Sequence, residues 1–156
     1  MALFSFESDN DLSDLPTSSQ NVRFTTPRGP GDEPNKRMLS SMTPTIVEEN
    51  GQLKMVVGTP GGSTIITSVF QVVLNTLEMG MNMQQAVEYP RFHHQWLPEK
   101  ITAEPKRFSE EQQMRLQSKG YTFSPVSAIG LVEGILVLPN GNLQGGADSR
   151  GDDSVS

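Results

Sequence analysis

The chain contains no cysteine. That removes a disulfide framework, a thiol nucleophile and every thiolate metal site at once. Histidine is almost as scarce: two residues in 156, standing side by side as His93-His94. Adjacent imidazoles point in different directions on most backbones, and no third histidine or spaced carboxylate accompanies them. No metal is expected there, and hydrogen bonding beside Trp96 at a seam in the fold is the better reading. Asp148, Asp152 and Asp153 lack the spacing of an EF-hand loop, which sets calcium aside. Positive charge is also short, with a net charge of −6. Lys36-Arg37 and Lys106-Arg107 are isolated pairs and make no basic stripe, so nucleic acid and anionic membrane are poor partners. No apolar run approaches a membrane span. The opening Met1-Ala2-Leu3-Phe4-Ser5-Phe6 has no basic flank, and Glu7, Asp9 and Asp11 follow at once, so it does not read as a signal peptide.

What is present divides unevenly along the chain. Residues 1–34 are rich in Ser, Asp, Pro, Thr and Gly, and Thr26-Pro27-Arg28-Gly29-Pro30-Gly31-Asp32-Glu33-Pro34 propagates neither helix nor sheet. This stretch reads as a loop or a disordered arm. Residues 35–156 read as one ordered body. Strands are expected over 45–49 and 53–58, joined at Asn50-Gly51, a type I′ hairpin signal. A long apolar-periodic helix follows over 63–79, with Ser63 or Thr64 as N-cap and Gly80 as the stop. A shorter helix over 83–88 is capped by Asn82 and ended before Pro90. A strand is expected over 101–104. A helix then opens at Ser109, in capping-box spacing with Gln112, and ends at Gly120; Glu110-Glu111 is its dipole-favoured first turn, not a catalytic dyad. Segments 131–138 and 142–147 form a second hairpin around Pro139-Asn140-Gly141. Strand pairs flanking central helices predict an α+β fold.

The sharpest local feature is Gly58-Thr59-Pro60-Gly61-Gly62-Ser63-Thr64, where a buried strand turns abruptly into an apolar helix. Glycines there bare backbone N–H groups, because no Cβ blocks close approach. The helix N-terminus adds partial positive charge, which suits an anion or a developing oxyanion. A tight strand-to-helix connection would account for the same residues. The Gly-Lys-Ser/Thr ending of a nucleotide P-loop is missing.

Two further blocks keep company with this turn: Asn35-Lys36-Arg37-Met38-Leu39-Ser40-Ser41-Met42-Thr43-Pro44 upstream and Pro90-Arg91-Phe92-His93-His94-Gln95-Trp96-Leu97-Pro98 downstream. In this order and spacing they resemble the C-terminal part of the small subunit of γ-glutamyltransferase (glutathione hydrolase), a self-processing N-terminal-nucleophile enzyme. The resemblance covers about residues 35–153. It implies part of an αββα sandwich, no cofactor, and a family that is periplasmic, secreted or cell-surface. Ser40 and Ser41 alone read as turn formers. The resemblance makes them binders of the donor's α-carboxylate, and it makes the backbone N–H groups of Gly61 and Gly62 the oxyanion hole. Asp148-Ser149-Arg150 matches an Asp-x-Arg near the family's chain end, read as an internal ion pair.

The family's nucleophile is an N-terminal threonine, followed by a strand, a supporting threonine and an Asn-Asn-x-Met-Asp-Asp-Phe block that holds the substrate's α-amino end. None of this is found by motif. Thr25-Thr26 is followed by Pro27-Arg28-Gly29-Pro30 instead of a strand and lies too near Ser40. The arginine-bearing large subunit is absent too. The expectation is therefore a fragment of an enzyme that takes the γ-glutamyl group from glutathione or a related donor and passes it to water, amino acids or peptides. It would need the large subunit and the rest of the small subunit as partners, and be inactive alone. A non-catalytic paralogue that binds glutamyl compounds or pairs with a subunit is the alternative.

Overall fold

A computed structural model describes residues 41–95 and 97–152. Ser40, the arm over 1–34, Trp96 and Asp153 lie outside the described residues.

The first hairpin forms as its sequence predicts. β1 (Thr45–Glu49) pairs antiparallel with β2 (Gln52–Gly58), and Asn50 and Gly51 take φ of 55° and 76°, the left-handed pair that a type I′ turn needs. Alternation then decides the faces: Val47, Met55 and Val57 are buried, while Ile46 and Val56 are not. The helix after the glycine turn opens with a 3₁₀ turn, Gly62–Thr64, before α1 (Ile65–Leu77). The side-chain cap expected from Ser63 or Thr64 does not form. Thr64 Oγ1 donates instead to the carbonyl of Gly61, 2.9 Å away.

α2 (Met83–Glu88) and α3 (Glu110–Gln117) begin as their sequences demand. Asn82 and Ser109 each accept from the N–H three residues on, and Gln85 and Gln112 return the bond. β3 (Phe92–His93), β4 (Ile101–Ala103) and β5 (Phe123–Pro125) make a small sheet, with β3 and β4 antiparallel and β4 and β5 parallel across α3. Only β4 was expected, since strands of two or three residues are too short to show a period. Phe108 secures the otherwise polar α3 by packing edge-on against Phe92 and Phe123.

β6 (Glu133–Val137) and β7 (Leu143–Gly146) form the second hairpin, and β6 docks on β2. The main sheet is therefore antiparallel in the order β1-β2-β6-β7. α1 and α2 cover one face. Val69, Val72, Val73, Met83, Ala86 and Val87 pack there with Val47, Met55, Val57, Val132 and Leu136. Each larger side chain fully buried in this way contributes roughly 1.5–3 kcal/mol. Gly134 and Gly146 lie on the same side, and a Cβ on either would collide with Met83, so these two glycines let α2 sit close on the sheet. No described element covers the opposite face, where the register aligns Ile46, Val56 and Ile135 across three strands, 59%, 40% and 47% exposed. Among the described residues no helix is long and apolar enough to cross a membrane.

Candidate active site

Three chain segments converge at one end of the main sheet. β2 leaves it at Gly58, β6 enters it at Glu133 opposite Gly58, and the residues before β1 run alongside, Thr45 being opposite Val57. Gly61 stands at this end with φ 143° and ψ 10°, and Gly62 with φ 60°. Both conformations favour glycine. A side chain at Gly61 would also press on Thr64 Oγ1, whereas nothing lies within 4 Å of a Cβ at Gly62. Neither glycine N–H finds an acceptor among the described residues, and both residues are exposed. Two adjacent donors without partners, at the start of a 13-residue helix, can receive a negatively charged oxygen.

Ser41 lies four residues ahead of β1, half-buried, and its carbonyl accepts from Thr43 Oγ1 at 3.0 Å. Its backbone lies ahead of Thr45, which pairs with Val57 next to the point where β2 leaves the sheet. Ser40, its expected companion in carboxylate binding, falls outside the described residues. A groove of about 780 Å³ opens at the other end of the sheet. Glu48, Glu49 and Glu78 line it beside the C-terminal end of α1; Lys54 is there too but is paired with Glu49, so the net charge and the helix dipole both oppose an anion. Its size does not make it the better site.

The histidine pair is structural, and unequal. His93 is buried between Thr67 Oγ1, 2.9 Å from Nδ1, and Gln95 Oε1, 3.0 Å from Nε2. Gln71 of α1 clamps the same segment through the carbonyl and N–H of Phe92. His94 stacks edge-on against Tyr121, and its Nε2 has no hydrogen-bond partner among the described residues. Among the described residues no group of His, Asp and Glu could hold a metal ion.

The Asp148–Arg150 pair expected from sequence exists, with 2.8 Å between Oδ1 and Nη1, as part of a larger buried cluster. Arg91 is fully buried. Its Nη2 meets Asp148 Oδ2 at 2.5 Å, its Nε donates to the carbonyl of Ile129 and its Nη1 to that of Val87. Glu104 receives Arg150 on both oxygens and also accepts from the N–H groups of Arg91 and Ile129. Burial weakens the hold of Arg91 on its proton, and its partnership with Asp148 opposes this only in part. For Asp148 burial favours the neutral acid, but the Val132 N–H and the two arginines prevail and keep its pKa below the usual carboxylate range. Arg150 is likewise desolvated, yet its bonds to Glu104 and Asp148 leave its pKa raised. Two cations and two anions thus cancel, and every group is engaged. Such a cluster holds α2, β4 and the chain after β7 together; it offers nothing to a substrate.

Sequence reading missed Glu104 and the loop over 129–132, which approach the site and the cluster from far along the chain. An acidic residue directly after an apolar strand was the only local hint of Glu104.

The geometry defines a class: an α+β fold that exposes two adjacent backbone N–H groups at the junction of a strand and a helix. A family model described as Gamma-glutamyltranspeptidase matches residues 8–156. The glutathione hydrolase proenzyme of Escherichia coli is 46% identical over 123 residues, covering 79% of this chain and 21% of that protein. A threonine-to-alanine mutant of Helicobacter pylori γ-glutamyltranspeptidase is 37% identical and superposes with a TM-score of 0.74, covering 93% of this chain and 86% of that one. The Pseudomonas nitroreducens γ-glutamyltranspeptidase complexed with L-DON gives 37% and 0.72, covering 80% and 65%. The chain belongs to the γ-glutamyltranspeptidase family and has the α+β fold of its N-terminal-nucleophile hydrolase sandwich. It spans about a fifth of the length of the Escherichia coli relative.

Proposed function

We propose that this chain supplies the oxyanion hole and part of the α-carboxylate clamp of an enzyme that transfers the γ-glutamyl group of glutathione or a related donor to water, amino acids or peptides. The observation that carries the proposal is the pair of unpartnered N–H groups of Gly61 and Gly62 at the start of α1. When a nucleophile adds to the γ-amide carbonyl, the oxygen becomes anionic, and donors already aimed at it lower the barrier without reorganising. Ser40 and Ser41 would receive the α-carboxylate as hydrogen-bond donors, fixing the distance between the charged end and the reacting carbon. The threonine nucleophile and the large subunit belong to the remainder of the enzyme.

The uncovered row Ile46, Val56 and Ile135 is where the second sheet of the sandwich would pack, since apolar strands bare on one face need cover. The family match begins at residue 8. In that stretch Asp9-Asn10-Asp11-Leu12-Ser13-Asp14-Leu15 has Asn second, an apolar residue fourth, Asp sixth and an apolar residue seventh, as in Asn-Asn-x-Met-Asp-Asp-Phe. We assign it as the degenerate counterpart of that block.

The test is hydrolysis of a γ-glutamyl anilide by the assembled enzyme that contains this chain, with Gly62→Val beside the wild type. A large fall in kcat with KM nearly unchanged supports the oxyanion role, and loss of affinity alone with intact turnover refutes it. Calorimetry of the isolated chain with glutamate tests the binding-module alternative, which predicts saturable heat.

A further inference from the structure

The unpartnered donors sit in a backbone that should be loose. Gly61 and Gly62 are adjacent, and a peptide plane between glycines rotates with little steric resistance. Such a rotation would be ruinous here. A flipped plane presents a carbonyl where an N–H stood, and the anion site becomes a repulsive one.

Two threonines oppose this. In a trans peptide the carbonyl and the following N–H point in opposite directions within one plane, so whatever holds the oxygen also aims the N–H. Thr59 Oγ1 donates to the carbonyl of Pro60 at 2.7 Å, and this carbonyl shares its plane with the N–H of Gly61. Thr64 holds the next plane through two bonds: its Oγ1 at 2.9 Å and its N–H at 3.3 Å both donate to the carbonyl of Gly61. That carbonyl shares its plane with the N–H of Gly62. Thr59 is itself anchored, because its hydroxyl accepts from the N–H of Leu131 at 2.8 Å, at the approach to β6. Gly130 stands beside this bond with φ 68°, and a Cβ there would meet Thr59 Oγ1 and the buried Ser68 Oγ at about 3 Å or less. The anchor therefore reaches from the loop before β6, through Thr59, to the glycine turn.

We propose that Thr59 and Thr64 are positioning residues that lock two successive peptide planes, so that the N–H groups of Gly61 and Gly62 both face the reacting carbonyl oxygen. The proposal rests on the oxyanion reading given above and adds what orients it. Loss of the Thr59 hydroxyl leaves the first plane free to turn, loss of the Thr64 hydroxyl leaves the second held by the longer Thr64 N–H bond alone, and the Leu131 N–H loses its acceptor only in Thr59→Val.

The experiment uses the assembled enzyme with Thr59→Val, Thr59→Ser, Thr64→Val and Thr64→Ser, and Gly62→Val as reference. Steady-state hydrolysis of a γ-glutamyl anilide is normalised to processed subunit, and thermal unfolding is followed alongside. Valine keeps the shape and removes the donor; serine keeps the donor. Both valine variants should lower kcat by roughly tenfold, less than deletion of an oxyanion donor, with KM unchanged and serine restoring turnover. A merely structural threonine would lower the unfolding temperature without the split between kcat and KM. Should Gly62→Val lose turnover while both valine variants keep it, the positioning role is overturned and the oxyanion reading stands. Should Gly62→Val keep turnover, both fall. If Thr59→Val does not fold, the Thr64 pair decides by the same criterion, since Thr64 makes no bond to the loop before β6.

Discussion

Two polar regions of this molecule lie at opposite extremes of hydrogen-bond satisfaction. In the ionic cluster, Arg91, Glu104, Asp148 and Arg150 are buried or nearly so, and each charge is met by an opposite charge and by backbone groups. At the glycine turn nothing is charged, Gly61 and Gly62 are exposed, and their two donors have no partner among the described residues. The cluster is the more conspicuous, with displaced pKa values and short contacts, yet its satisfaction disqualifies it as a binding site. Perturbed titration marks functional groups only when something remains to be bound. Unused hydrogen-bonding capacity, placed where a helix dipole reinforces it, is the better signature here.

That contrast breaks most severely through the cluster. Arg91→Met leaves Asp148 buried with only Arg150 and the Val132 N–H, and should destabilise the protein by about 3–5 kcal/mol, the usual effect of removing one partner from a buried pair. Chemical unfolding against the wild type measures it. A midpoint that stays put would mean the cluster contributes little to the fold.

Gly62→Val is the matching break at the turn, and its effect should fall on chemistry. We expect turnover to drop by about 10² to 10³, or roughly 3–4 kcal/mol of transition-state stabilisation. Nothing crowds a Cβ there, although φ 60° adds strain of about 1–2 kcal/mol. Comparison with Gly62→Ala, which strains the backbone less than valine, separates strain from obstruction.

The pH dependence sharpens the comparison from the cluster's side. Asp148 holds a folded pKa below its ordinary 3.8. Its contribution to stability is therefore complete above that value and is lost as the pH falls through the lower folded pKa, because the unfolded chain takes up the proton first. Acid unfolding followed by circular dichroism should show this loss, and Asp148→Asn should flatten the slope in that window. A variant as steep as the wild type would assign the acid sensitivity elsewhere.

The smallest effect is expected at a helix start. Asn82→Ala removes the capping box of α2, which carries Val87 and Glu88 to the cluster, and should cost about 1 kcal/mol. A thermal shift of a few degrees would match it, and no shift would show that packing of Met83 alone holds the helix.

Legibility in the sequence followed the range of the interactions. Asn50-Gly51, Asn82 with Gln85 and Ser109 with Gln112 act over four residues or fewer, and each forms as read. The glycine turn was equally plain, because only a strand ending at Gly58 and a helix beginning near Ile65 were needed to place it. The helix cap was misread for a related reason. Thr64 had the right chemistry for a cap, but the neighbouring Gly61 carbonyl was the acceptor within reach. Strands β3 and β5 were missed because two or three residues carry no period.

The sequence by itself determined the turns, the caps of α2 and α3, the α+β class and the glycine-rich junction, since these depend on backbone preferences and side chains only a few residues apart. The tertiary structure decided that β6 lies against β2, that Glu104 joins Arg91 and Arg150, and that the N–H of Leu131 meets Thr59 across 72 positions of sequence. Those contacts arise only once α1 and α2 bury their apolar faces on the sheet and bring distant loops to one end of it. Local chemistry supplies the donors; burial of the core chooses which of them are left without a partner.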